Sequence, residues 1–115
     1  MQYRGSCHCG KVAYEVEGEI NEALSCNCSV CSRRGSLLWF TSRDKMKLLR
    51  GESELTNYTF NKHLIQHLFC KHCGIQSFAF GKDPKGNEMA AINIRCLEDF
   101  AFENVPVRKF NGKAL

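Results

Sequence analysis

Apolar positions in this chain recur in twos far more often than in helical turns. Val12, Tyr14 and Val16 alternate with Ala13, Glu15 and Glu17, the period of a half-buried strand. Residues 37–40, Leu-Leu-Trp-Phe, form a short run of strand-forming side chains, and Tyr58-Thr59-Phe60 is a second β-type piece. Within residues 75–80, Phe78 and Phe80 share one face and Ser77 and Ala79 the other. Within residues 89–96, Ala90, Ile92, Ile94 and Cys96 share a face opposite Asn93 and Arg95. Val105, Val107 and Phe110 close the pattern. Turn signals separate these pieces: Gly18, Gly51, Gly74, residues 81–87 and Asn111-Gly112. Helical signal is confined to two single turns, residues 29–34 and residues 96–102. The pattern predicts a mainly β protein of short antiparallel strands joined by cysteine-bearing loops.

Length and composition narrow this further. The chain has 115 residues, with 43% apolar and 24% charged positions, which is globular composition. No repeat, low-complexity tract or linker is visible, so residues 1–115 read as a single domain. No apolar run approaches the roughly 18 residues a membrane helix needs. The start, Met-Gln-Tyr-Arg-Gly-Ser, has no apolar stretch of signal-peptide type, so the expected location is cytoplasmic. Eight cysteines are many for such a chain. In a reducing compartment, clustered cysteines bind metal more often than one another.

The cysteines fall into three clusters: Cys7-His8-Cys9-Gly10, Cys26-Asn27-Cys28-Ser29-Val30-Cys31, and Cys70-Lys71-His72-Cys73-Gly74. The third has zinc-knuckle spacing. Two intervening residues let a tight turn aim both sulfurs at one point, and a following glycine suits the positive φ such a turn needs. It supplies two of the four ligands of a closed site. The Cys7/Cys9 pair, also followed by glycine, is its complement, and Cys-x-Cys is a strained disulfide. Cys7, Cys9, Cys70 and Cys73 therefore read as one structural zinc site. A thioredoxin-type role for Cys70/Cys73 lacks the flanking βαβ pattern.

Cys26, Cys28 and Cys31 offer three local sulfurs, which leave a tetrahedral ion one open position, as in catalytic zinc sites. His8, His63, His67, His72 or Cys96 could close that position. Cys96 on an inward strand face more often packs as a small hydrophobe. His72, between two ligands, is expected to face solvent.

In this order, the motifs Gly5-Ser6-Cys7-His8-Cys9-Gly10, Cys26-x-Cys28-x-x-Cys31 and Phe69-Cys70-x-x-Cys73-Gly74 resemble the glutathione-dependent formaldehyde-activating enzyme family. The centromere protein V group shares this domain. The resemblance takes in Phe40, the segment Asn93-Ile94-Arg95-Cys96-Leu97 and the closing Phe110-Asn111-Gly112, and so nearly the whole chain, as a short member. It implies an Mss4-like (β-tent) fold of small antiparallel sheets. It also implies two zinc ions per chain, a structural one on Cys7, Cys9, Cys70 and Cys73 and a second on Cys26, Cys28 and Cys31. The implied chemistry joins formaldehyde to the glutathione thiol, classed as carbon–sulfur lyase activity.

Two functions follow. As an enzyme, the three-cysteine zinc acts as Lewis acid on a thiol or thiol–aldehyde adduct such as a glutathione conjugate. Arg33, Arg34 and Arg95 are then candidates to hold its carboxylate, because guanidinium–carboxylate contact is bidentate. Of the three, Arg34 reads more readily as a solvated charge, and Trp39 and Phe40 read as core or pocket wall. As a binding module, both zincs are structural and a protein or nucleic acid is the partner. Lys45, Lys47 and Arg50 form the densest basic patch, but Asp44, Glu52 and Glu54 dilute it and no stacking aromatic alternates with it. Seven thiolates and two Zn²⁺ ions together subtract three charges from the formal +4, leaving about +1, so charge gives little reason to expect nucleic acid.

Overall fold

The computed structural model describes residues 1–60 and 62–114. In chain order its strands are β1 (Gln2–Ser6), β2 (Ala13–Glu17) and β3 (Ala23–Cys26), then helix α1 (Ser29–Arg34). β4 (Leu38–Ser42), β5 (Met46–Arg50), β6 (Leu55–Tyr58), β7 (Gln66–Cys70), β8 (Phe78–Lys82), β9 (Glu88–Asn93) and β10 (Val107–Phe110) follow. They form a three-stranded sheet, β1-β2-β5, and a seven-stranded sheet, β10-β3-β4-β9-β8-β7-β6. The protein is mainly β, as its alternation implies.

The two sheets bury their apolar faces against each other. Tyr14, Val12 and Val16 come from β2 and its approach, while Phe78, Ile92 and Ile94 come from the larger sheet and its continuation; all are fully buried. Tyr14 meets Phe78 edge-on across the layers, with ring centroids 5.2 Å apart. Tyr3 meets Trp39 in the same way at 6.1 Å. Such edge-to-face pairs contribute beyond the area they bury. Trp39 is therefore core, whereas Phe40, on the opposite face of β4, is exposed.

Four features depart from the sequence reading. β10 runs parallel to β3, with Phe110 beside Cys26, where antiparallel pairing was expected. The strand near Tyr58 ends at that residue and begins at Leu55. The turn expected over residues 96–102 is replaced by two 3₁₀ turns, Ile94–Cys96 and Phe102–Asn104, because Asn93 Oδ1 accepts from the Arg95 N–H and starts the first one early. Ser77 and Ala79 are buried along with Phe78, since β8 is central in its sheet. β1, β3, β5 and β7 were not singled out from the sequence. Gln2–Ser6 lacks alternation, and the basic residues of Met46–Arg50 mask Met46 and Leu48, which pack on the core.

The link from β5 to β6 passes through Gly51, whose φ is +92°. A Cβ there would lie 2.3 Å from the Lys11 carbonyl oxygen and 2.8 Å from Val12 Cα. Both conformation and space require glycine. Gly51→Ala is expected to lower stability by about 2 kcal/mol, read as a lower urea midpoint with unchanged slope. An unchanged midpoint would contradict this close approach.

Candidate metal centres

The first centre is built from two hairpin knuckles. Cys7 and Cys9 lie in the turn between β1 and β2, while Cys70 ends β7 and Cys73 lies in the turn that follows it. The turns are alike. The Gly10 N–H donates to the Cys7 carbonyl at 3.3 Å, and the Gly74 N–H to the Cys70 carbonyl at 2.8 Å. Both glycines take positive φ, +81° and +78°. The Val12 N–H approaches Cys7 Sγ at 3.4 Å. The four sulfurs lie within 4.8 Å of one another. Cys9 Sγ is 3.6 Å from both Cys7 Sγ and Cys70 Sγ. A tetrahedral zinc with Zn–S bonds of about 2.3 Å sets its sulfurs about 3.8 Å apart, so these residues fit the ion. The same spacing is far too long for a disulfide.

The sulfurs' electrostatics agree. At Cys73, burial opposes ionisation, but the Cys9 and Ile75 N–H groups and neighbouring thiols draw its pKa down to about 6. At Cys9 the Lys11 N–H favours the thiolate, yet burial and the thiols of Cys70, Cys7 and Cys73 push the pKa up to about 11. The cluster thus favours one charge and resists a second. A bound dication is what lets every ligand ionise.

The second centre gathers Cys26, Cys28 and Cys31, whose sulfurs also lie within 4.8 Å of one another. Cys26 ends β3, Cys28 caps α1 and Cys31 sits in its first turn. The Cys28 N–H approaches Cys26 Sγ at 3.4 Å. Cys28 titrates low despite burial, helped by the N–H and thiol of Cys31. Burial and the Cys28 thiol push Cys31 up to about 12. Among the described residues, no fourth histidine, cysteine or carboxylate joins these sulfurs.

The final segment fastens this loop. The Asn27 N–H donates to the Phe110 carbonyl at 3.2 Å, and Asn27 Nδ2 to Asn111 Oδ1 at 2.9 Å. The Lys113 N–H donates to Asn27 Oδ1 at 3.0 Å. Gly112 packs so closely that a Cβ on it would meet Cys26 Sγ at 2.6 Å and Cys28 Cβ at 3.0 Å.

The residues considered as a fourth ligand lie elsewhere. His8 is exposed, and His63 bonds Thr59 Oγ1 at 2.8 Å. His72 is partly exposed and paired with Glu54. His67 is buried and stacked on Phe60, with centroids 5.3 Å apart. Cys96 points toward the Gln76 carbonyl; burial raises its pKa, and the charges of Cys7 and Cys73 reach it, which sets it on the side of the four-cysteine centre.

The arginines also separate. Arg33 Nη1 donates to the Ser29 carbonyl at 2.7 Å on its own helix. The Arg95 guanidinium lies over the Phe102 ring at 4.7 Å. Arg34, read from the sequence as a solvated charge, is instead half-buried, bonded to Gln76 Oε1 and 3.4 Å from His67 Nδ1. Three residues after Cys31, it shares that ligand's side of the helix. This spacing was the available sequence signal. Asn27, Asn111 and Gly112 gave none beyond their place in the motifs. Arg50 of the basic patch turns its Nε to the Gly10 carbonyl at 2.8 Å, bracing the first knuckle. A surface depression of about 380 Å³ lies beside Cys9, Gly10 and Arg50, and another of about 500 Å³ beside Arg43 and Glu88. The first abuts a centre whose four ligands are already supplied by the chain, and neither touches Cys26, Cys28 or Cys31. The chemistry of the donor sets is therefore the better guide to the site.

Residues 2–110 match the sequence model of a family described as glutathione-dependent formaldehyde-activating enzyme. The fold is similar to a crystal structure of a Rhodobacter sphaeroides protein, with a TM-score of 0.79 and 32% identity. That match covers 91% of this chain and 99% of the other.

The contact at Gly112 makes a specific prediction. Gly112→Ala is expected to keep the fold and weaken metal binding at Cys26, Cys28 and Cys31 by roughly tenfold or more. Competition against a chromophoric chelator measures this, and unchanged affinity would contradict it.

Proposed function

The chain belongs to the glutathione-dependent formaldehyde-activating enzyme family, and from that premise we propose that it is a zinc-dependent carbon–sulfur lyase-type protein acting on a thiol–aldehyde adduct. The observation that carries this reading is the three-sulfur centre, which gains no fourth ligand from the described residues. A zinc ion held there supplies Lewis acidity and an open position, favouring the thiolate of an incoming thiol or polarising an aldehyde oxygen.

The chain's own residues do the rest. Cys26, Cys28 and Cys31 fix the position of the reaction as thiolates. Asn27, locked to Phe110, Asn111 and Lys113, holds the loop that carries two of them. In the forward direction a carbon–sulfur bond forms between thiol and aldehyde carbon, and the thiol proton ends on the former carbonyl oxygen. In reverse that bond breaks and the proton returns to sulfur. No electrons are gained or lost, so zinc, which is redox-inert, suits the reaction.

The four-cysteine centre takes the structural role in this reading. Free cysteines throughout the chain suit a reducing compartment such as the cytoplasm. No helix among the described residues is long and apolar enough to cross a membrane.

The test is the rate of S-hydroxymethylglutathione formation and breakdown with zinc-loaded protein, compared with the spontaneous rate. Acceleration by the wild type is expected, with a loss of more than about 100-fold in a folded Cys28→Ser variant. Equal rates for wild type and buffer would overturn the reading and favour a binding module. Full activity in Cys28→Ser would overturn the assignment of the centre.

A further inference from the structure

The half-buried guanidinium of Arg34 has a use that the zinc ligands do not explain. Among the described residues its polar contacts fall on one nitrogen: Nη1 donates to Gln76 Oε1 and lies 3.4 Å from His67 Nδ1. Nη1 carries two N–H groups, and these two acceptors occupy both. The three N–H groups on Nε and Nη2 meet no acceptor among the described residues, and no carboxylate pairs with this side chain there. An arginine retains its proton under all ordinary conditions, and leaving a cation partly out of water without a counter-charge is costly. The free edge is the one that grips a carboxylate through two parallel bonds.

The surroundings hold that edge in place. His67 is stacked on Phe60, and Phe60 on Tyr58, with centroids 5.3 and 5.6 Å apart. The Arg34 guanidinium can only donate, so His67 Nδ1 is the acceptor in their contact, and burial and the adjacent Arg34 charge lower the His67 pKa. α1 sets Arg34 one turn beyond Cys31, on that ligand's side of the helix, and the guanidinium is half-buried there. Arg33 and Arg95 lack this setting: one is turned back on its own helix, the other lies over Phe102.

We propose that Arg34, held by Gln76 and His67, is the specificity residue that anchors the carboxylate of a thiol bound at the Cys26, Cys28 and Cys31 centre. The proposal rests on the reading of that centre as a thiol site. The ligand class is a thiol with a carboxylate a few bonds from its sulfur, and the recognition is bidentate.

The test uses two probes of equal size, 3-mercaptopropionate and 3-mercaptopropionamide, titrated by calorimetry into zinc-loaded wild type, Arg34→Gln and Arg34→Lys. Zinc content is measured on each sample. The wild type is expected to bind the acid roughly 10- to 100-fold more tightly than the amide. Arg34→Gln should lose that preference while keeping its zinc and its affinity for the amide. Arg34→Lys should keep part of the preference, because it retains charge but not the two-pronged contact. If both thiols bind and their ratio is the same in all three proteins, this proposal fails and the thiol site stands. If Arg34→Gln weakens both probes equally and loses zinc, Arg34 merely offsets the charge of the thiolates, and the proposal fails. If neither probe binds the wild type, the thiol site and the proposal fall together.

Discussion

Four sulfurs from two hairpin turns set the condition on which the two-sheet arrangement depends. Cys7 and Cys9 belong to the three-stranded sheet; Cys70 and Cys73 belong to the seven-stranded one. Bringing them within 4.8 Å fixes the end of one sheet against the other. The core between the sheets is modest: Tyr14 against Phe78, Val12, Val16, Ile92 and Ile94. A domain of this size hides only about two-thirds of its unfolded surface, so a metal cross-link at this centre would add folding free energy where the core is thin.

The second centre is built differently, and the difference bears on what it can do. Its three cysteines come from one short stretch, the end of β3 and the first turn of α1. The closing segment, paired to β3 and stapled to Asn27, backs this stretch from behind. On its other side α1 presents Arg34 toward His67 of β7 and Gln76 of the β7–β8 connection. One centre thus draws its four donors from both sheets. The other keeps its sulfurs on a rigid support beside a guanidinium whose Nε and Nη2 meet no acceptor among the described residues.

The sequence disclosed the parts of this design that are local. A chelate turn is written in adjacent residues, so the knuckle spacings and their glycines marked the first centre and three closely spaced cysteines the second. Alternation marked β2 and β9, where one face is buried and the other wet. The pairing of β10 with β3 is set by contacts more than eighty residues apart, and no local pattern carries it. β8 lost its alternation because its central place buries both faces. Arg33 and Arg34 are chemically identical neighbours, and only the rotation of a six-residue helix decides which meets the sheet. The role of Gly112 depends on packing so close to Cys26, from the far end of the chain, that a Cβ would fall 2.6 Å from its sulfur.

The most direct measurement is stepwise metal release, with zinc freed per chain and circular dichroism followed together as chelator strength rises. The account predicts two zinc ions per chain. One leaves first with the β signal intact, and the second leaves together with cooperative unfolding. Loss of both ions in a single step with the fold, or retention of the fold after both have gone, would contradict the division between an architectural and a chemical centre.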